Sequence, residues 1–178
     1  MTTLRTALAT GTLAGVLLAG GAPRYAMADD DFGWLYSSKW QIAGAQKGDN
    51  RLTAECQKGE IIVVYQIARS NLAPELAKKK RAYLMVVVDE KDDGRGTFTS
   101  VNSNFIADEN SVRIGFGGKG ALRLAHEMSK AEHNIIVGVA TKDPTKASSY
   151  TKYNTTRYED LPDAAEAFGS LFDECGVQ

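Results

Sequence analysis

Arg51-Leu52-Thr53-Ala54-Glu55-Cys56, then Gln57-Lys58-Gly59-Glu60, then Ile61-Ile62-Val63-Val64-Tyr65-Gln66-Ile67 is the stretch on which the fold turns. Two β-rich runs flank a short turn containing glycine, which reads as a β-hairpin. Upstream, Phe32, Trp34, Tyr36 and Trp40 sit at even spacing, so an extended segment would lay all four rings on one face. Downstream, Tyr83-Leu84-Met85-Val86-Val87-Val88 reads as a strand, Asp89 to Gly94 as a turn, and Thr97 to Val101 as its return. Phe105-Ile106-Ala107 and Ser111 to Phe116 complete a meander around a turn at Asp108-Glu109-Asn110.

The period then changes. Between Lys119 and His133, Ala121, Leu122, Leu124, Ala125, Met128 and Ala131 recur at helical spacing. Ile135 to Ala140 is a further strand, and Tyr150 to Tyr158 suggests another with a half-wet face. Leu161-Pro162-Asp163 opens a last helix with the stripe Ala164, Ala165, Phe168, Leu171, Phe172, closed by Gly176. Strands followed by helices imply an α+β fold: an antiparallel sheet of hairpins and meander, about six to eight strands, with two helices from the C-terminal half packed on it.

At 178 residues, 43% hydrophobic and 24% charged, the composition excludes disorder, collagen-like repeats and a coiled coil. Residues 1–28 read as a Sec-type signal peptide: Arg5, an uncharged apolar run from Ala7 to Ala19, and Ala26-Met27-Ala28 before cleavage. That run is shorter than the roughly 20 residues a membrane span requires, so no transmembrane anchor is expected after cleavage. Residues 29–178 are then expected to form a single α+β domain in the bacterial periplasm or medium. Cleavage removes Arg5 and Arg24 from the 21 basic residues and none of the 22 acidic ones, leaving a net charge of −3. No cationic excess is available for nucleic acid.

Cys56 and Cys175 are the two cysteines, and in an oxidising compartment they are expected to pair as a structural disulfide. Neither belongs to a C-x-x-C redox motif. Gly115-Phe116-Gly117-Gly118-Lys119-Gly120 satisfies the G-x-G-x-x-G spacing, with Asp143 at the distance of a ribose-binding acid, and stands as a minor nucleotide-binding candidate. Too little chain follows to complete a doubly wound sheet, and the preferred reading of the glycines is a flexible strand-to-helix turn. His126 and His133 fall on one expected helix, but Lys130 occupies the place of the second histidine in a zinc-hydrolase motif. Asp89, Asp92, Asp93 and Gly94 fail the EF-hand pattern at Lys91 and Ser100. Lys78-Lys79-Lys80-Arg81 reads as a solvated loop. No metal, cofactor or catalytic residue is nominated.

Tyr150, Lys152, Tyr153, Arg157 and Tyr158 form the most site-like cluster, since Tyr and Arg are favoured at interfaces. The functional expectation is a small exported envelope protein that acts by binding a partner, an envelope protein or glycan, without enzymatic activity. The alternative is an envelope hydrolase with dispersed polar residues, using His126 or His133.

Overall fold

The computed structural model describes residues 32–90, 96–159 and 161–177. The signal-peptide reading of residues 1–28 lies outside these. In chain order the elements are β1 (Phe32–Ser37), β2 (Ile42–Lys47), β3 (Asn50–Gln57), β4 (Glu60–Ala68), α1 (Pro74–Ala77), β5 (Arg81–Val88) and β6 (Thr97–Ala107). There follow β7 (Ser111–Gly117), α2 (Lys119–Ser129), β8 (Ile135–Ala140), β9 (Lys152–Tyr158) and α3 (Ala164–Cys175). The strands hydrogen-bond in the order β1-β2-β3-β4-β7-β6-β5-β8-β9, with antiparallel neighbours throughout. The antiparallel α+β architecture is therefore as expected, with nine strands rather than six to eight and a third, one-turn helix at Pro74.

The hairpin of β3 and β4 closes through Lys58 and Gly59, at φ 55° and 78°. Two consecutive left-handed residues match the right-handed twist of the flanking strands. The sequence reading missed β2. Its Ala43, Gly44 and Ala45 are poor strand formers, yet Ala43 and Ala45 are buried where α3 crosses the sheet. The aromatic run does not share one face. Trp34 is buried against Phe168, at 5.0 Å between ring centroids, whereas Trp40 sits exposed in the β1–β2 turn under the Lys39 ammonium. The side chain of Phe32 lies outside the described set.

β6 is one eleven-residue strand instead of two short ones. It pairs with β5 from Thr97 to Asn104 and with β7 only from Phe105 to Ala107, so it carries the chain from one half of the sheet to the other. The sheet curls until it is nearly barrel-shaped. Its two ends meet through side chains: Trp34 faces Tyr158 at 6.2 Å, and Asn50 Nδ2 donates to Thr156 Oγ1 at 3.0 Å. Inside lie Leu52, Val63, Leu84, Ile114 and Val137, covered by Leu124 and Met128 of α2 and by Phe168 and Leu171 of α3.

Two details of the helices depart from the sequence pattern. α2 stops at Ser129, so His133 is in a loop and does not share a helix with His126. The cause is distant in sequence: the Asp89 carboxylate accepts hydrogen bonds from the amides of Glu132, His133 and Asn134, drawing those residues off the helical path. In α3 it is Ala167, not Ala165, that joins the buried stripe. Gly176 then adopts the left-handed cap at φ 68°, and Val177 N–H reaches back to the Phe172 carbonyl.

Cys56 and Cys175 are bonded, joining the end of β3 to the end of α3 across 119 residues. Closing a loop of that length restricts the unfolded chain by about 5 kcal/mol in the chain-entropy model. Replacing Cys175 by Ala is expected to lower the unfolding free energy by about 2–5 kcal/mol. Urea titration of the two forms checks this; a loss under about 1 kcal/mol would mean that packing alone seats α3.

Candidate functional site

β9 carries most of the cluster picked out from sequence, and its local geometry divides that cluster. The register against β8 shifts between Val137 and Val139, so Asn154 and Thr155 stand opposite Gly138 as a bulge. Asn154 takes up the extra residue at φ 49°, in the left-handed region that asparagine tolerates better than most side chains. As a result, Tyr153 and Tyr158 point to the core, Tyr158 only 4% exposed, while Lys152, Thr155 and Arg157 stay exposed on the outer face. Tyr150 precedes the strand and is half-buried. The five residues therefore do not make one surface. Lys152 and Arg157 do share a face, and Arg157 is engaged by Glu90 at 2.9 Å and Glu159 at 3.9 Å.

The bulge is held from three directions. The Tyr65 hydroxyl, on β4 across the interior, donates to the Asn154 carbonyl at 2.7 Å. The Ala73 amide donates to Asn154 Oδ1 at 3.1 Å, and Asn154 Nδ2 donates to the Asn71 carbonyl at 2.6 Å. Tyr65 Oη also lies 2.8 Å from Thr156 Oγ1. Such over-determination is what a strained backbone residue needs in order to persist.

On the outer side of this bulge is a shallow, open hollow with room for about one water. Met85 and Val87 of β5, Phe98 of β6, Ile136 and Gly138 of β8, and Lys152 and Thr155 of β9 line it. Gly138 makes the space: a Cβ there would stand 3.1 Å from Thr155 Oγ1 and 3.7 Å from Met85 Cε. Met85 and Ile136 are buried beneath, whereas the Phe98 ring is 41% exposed at the margin. Directly across from Met85 on the same face, Ser100 has a buried Oγ without a hydrogen-bond partner. Among the described residues Lys152 is the only charged group in the lining.

The other sequence candidates meet local structural demands. Gly118 opens α2 at φ 76°, and a Cβ on Gly115 would come within 2.6 Å of the Val63 carbonyl. Gly117, Lys119 and Gly120 are exposed around this strand-to-helix turn. β7 runs antiparallel to β4 and β6, whereas the dinucleotide fingerprint works within a parallel βαβ unit. Asp143 binds within its own loop. The Thr145 hydroxyl and amide, at 2.7 and 3.0 Å, followed by Lys146, hold its carboxyl below the usual range. The His126 ring packs on Phe172 at 4.3 Å. Among the described residues no group of three His, Cys, Asp or Glu side chains is placed to hold a metal ion, and no helix is long and apolar enough to cross a membrane.

One polar constellation was missed. Glu55, 5% exposed on the outer face of β3, bonds Arg113 at 2.7 Å and is also held by Thr53 and Gln57. The available signal was the polar alternation of Arg51, Thr53 and Glu55 within the hairpin. Pairing of that quality is what lets a carboxylate remain so enclosed. Comparison with known proteins finds no match for this chain among family models, curated proteins or solved structures.

Two phenols report on the closure of the fold. Tyr36 on β1 donates to the Glu174 carboxylate of α3; burial, then that hydrogen bond, then the carboxylate charge push its pKa up to about 12. Burial likewise raises Tyr65. Both folded values exceed the unfolded one, so the stabilisation is complete below the ordinary tyrosine pKa of about 10 and is lost as pH climbs through the raised values. Phenolate absorbance should show a component ionising near 12 that Tyr36→Phe removes. If every tyrosine of the native protein ionises together at the ordinary value, the contacts of Tyr36 and Tyr65 are not formed in solution.

Proposed function

We propose that this chain is an exported bacterial envelope protein that acts by binding, without catalysis, and that it binds at the outer hollow between β6, β5, β8 and β9. The observation that carries the reading is the gap over Gly138. An otherwise filled sheet face is left concave there, with an exposed aromatic ring at one side and a lysine at the other. Apolar concavities with a few polar groups at the edge are the usual form of binding sites. Part of the tyrosine-rich cluster contributes to it through Lys152, with Arg157 on the same face.

The export half of the proposal draws support from the apolar leader of residues 7–19, the small-x-small sequence Ala26-Met27-Ala28, and the single disulfide, which suits an oxidising compartment. Mass spectrometry of the protein from its native host should give a mature chain beginning at Asp29, found outside the cytoplasm. A chain that keeps residues 1–28 inside the cell would contradict it.

The binding half is tested by immobilising the disulfide-bonded protein and passing envelope extract over it. Phe98→Ala removes the exposed ring and Gly138→Ala begins to fill the floor; each should reduce retention of whatever the unaltered protein holds. Circular dichroism and thermal unfolding establish that both variants are folded. Retention unchanged in two folded variants would remove the hollow from consideration as the site.

A further inference from the structure

Independently of the hollow, we infer that this chain forms a two-fold symmetric dimer in which β6 pairs antiparallel with β6 of a second copy. The starting observation is an open edge inside the sheet. β6 pairs with β7 only over Phe105, Ile106 and Ala107; beyond Ile114, β7 pairs with β4 alone, and Gly118 at φ 76° turns the chain into α2. The Phe105 N–H donates to the Lys80 carbonyl at 2.9 Å, so the odd-numbered residues of β6 direct their backbone groups to β5. The N–H and C=O groups of Phe98, Ser100, Asn102 and Asn104 therefore point the other way. Among the described residues no strand pairs with them there.

The two terminal strands carry the usual devices against edge pairing. β9 has its bulge, Lys152 and Arg157, and β1 has an irregular register between Phe32 and Leu35. β6 has an unbroken register against β5, and from Thr97 to Ala107 it holds no charged residue and no proline. Such an edge can lie against a copy of itself without setting like charges opposite each other. Two buried side-chain oxygens that lack a hydrogen-bond partner, Ser100 Oγ and Ser103 Oγ, belong to this strand. Its outer face also carries Phe98 and Ile106, 41% and 67% exposed.

These features fix the register. Ile106 already pairs with Arg113 of β7, so the free backbone positions run from Phe98 to Asn104. A two-fold pairing that uses all of them is centred on their midpoint, Val101. Phe98 then stands opposite Asn104 of the second copy, and Ser100 opposite Asn102, each pair exchanging two backbone hydrogen bonds. The Ser100 hydroxyl gains the Asn102 side chain across from it, and the Ser103 hydroxyl gains that of Thr99. The same centre sets Phe98 diagonal to Ile106 of the second copy, a separation that an aromatic ring can span. One arrangement thus answers both orphan hydroxyls and both exposed apolar side chains, which favours a second copy over an unrelated strand. A single strand pair is a small interface, so the association is expected to be weak and concentration-dependent.

Sedimentation equilibrium of the disulfide-bonded protein should show a monomer–dimer equilibrium. Asn102→Pro removes an N–H aimed at the open edge and none that β5 uses. The dimer loses that bond twice, so its dissociation constant should rise about tenfold, while circular dichroism confirms the fold. Val101→Cys should cross-link two chains on air oxidation, since the paired residues stand about 4.5 Å apart between Cα atoms. Thr99→Cys should not, because its copies lie about 14 Å apart along the strands. None of these positions lines the hollow, so ligand binding there does not enter the result. A protein that stays monomeric at every concentration, or a dimer indifferent to a folded Asn102→Pro variant, overturns the pairing. Cross-linking through Thr99 in place of Val101 overturns the two-fold register. Should Asn102→Pro fail to fold, the two cysteine variants decide alone.

Discussion

The hydrogen bond from Tyr65 to the Asn154 carbonyl is the constraint on which the rest of this fold hangs. β9 is the last strand in the order and has a ladder partner only in β8. A strand so placed presents an open edge. Here the gap is spanned by side chains from the far half of the sheet: Tyr65 to Asn154 and Thr156, Asn50 to Thr156, and Trp34 against Tyr158. The Tyr65 ring is fully buried, so its hydroxyl has to find partners inside the protein. A buried polar group left without one costs about 1–3 kcal/mol. The tyrosine therefore stabilises the closed arrangement in two ways, by filling the interior and by requiring β9 to be present.

α3 provides the second closure. Its buried stripe from Ala164 to Cys175 crosses β1, β2 and β3, and the small residues Ala43 and Ala45 allow close approach. Tyr36 and Gln41 then reach Glu174, one residue before the disulfide. Three links of different kinds, covalent, hydrogen-bonded and apolar, thus converge on one helix end. The disulfide acts on the unfolded chain, whereas the packing and the phenol–carboxylate bond act on the folded one, and so their effects reinforce rather than duplicate each other.

Much of this was legible where local pattern and tertiary demand agree. The β3–β4 hairpin follows from strand-forming runs around Lys58-Gly59, and the cysteine pair from composition and compartment. Legibility fails where a distant group overrides the local pattern. β2 hides because Gly44 and its alanines are chosen for proximity: a Cβ on Gly44 would come 2.7 Å from Thr53 Cγ2. α2 ends early because of a carboxylate on Asp89, 43 to 45 residues upstream of the amides it binds. The tyrosine cluster divides because one left-handed residue, Asn154, breaks the two-residue alternation from which a shared face would be inferred. The hollow has no linear signature at all, since its lining comes from four strands.

The same break in alternation connects core and surface. Without the bulge, strict alternation from Tyr158 would turn Thr156, Asn154 and Lys152 toward the interior and Tyr153 toward solvent. A lysine would then face the apolar core instead of the margin of the hollow. The extra residue resets the phase, returning Tyr153 to the core and Lys152 to the outer face beside Gly138. Because the phase change is fixed from within by Tyr65 and from the side by Ala73 and Asn71, the outer face inherits the rigidity of the interior. A surface concavity with so small an apolar floor gains most from that rigidity, since ordering a mobile wall would consume the free energy that binding releases.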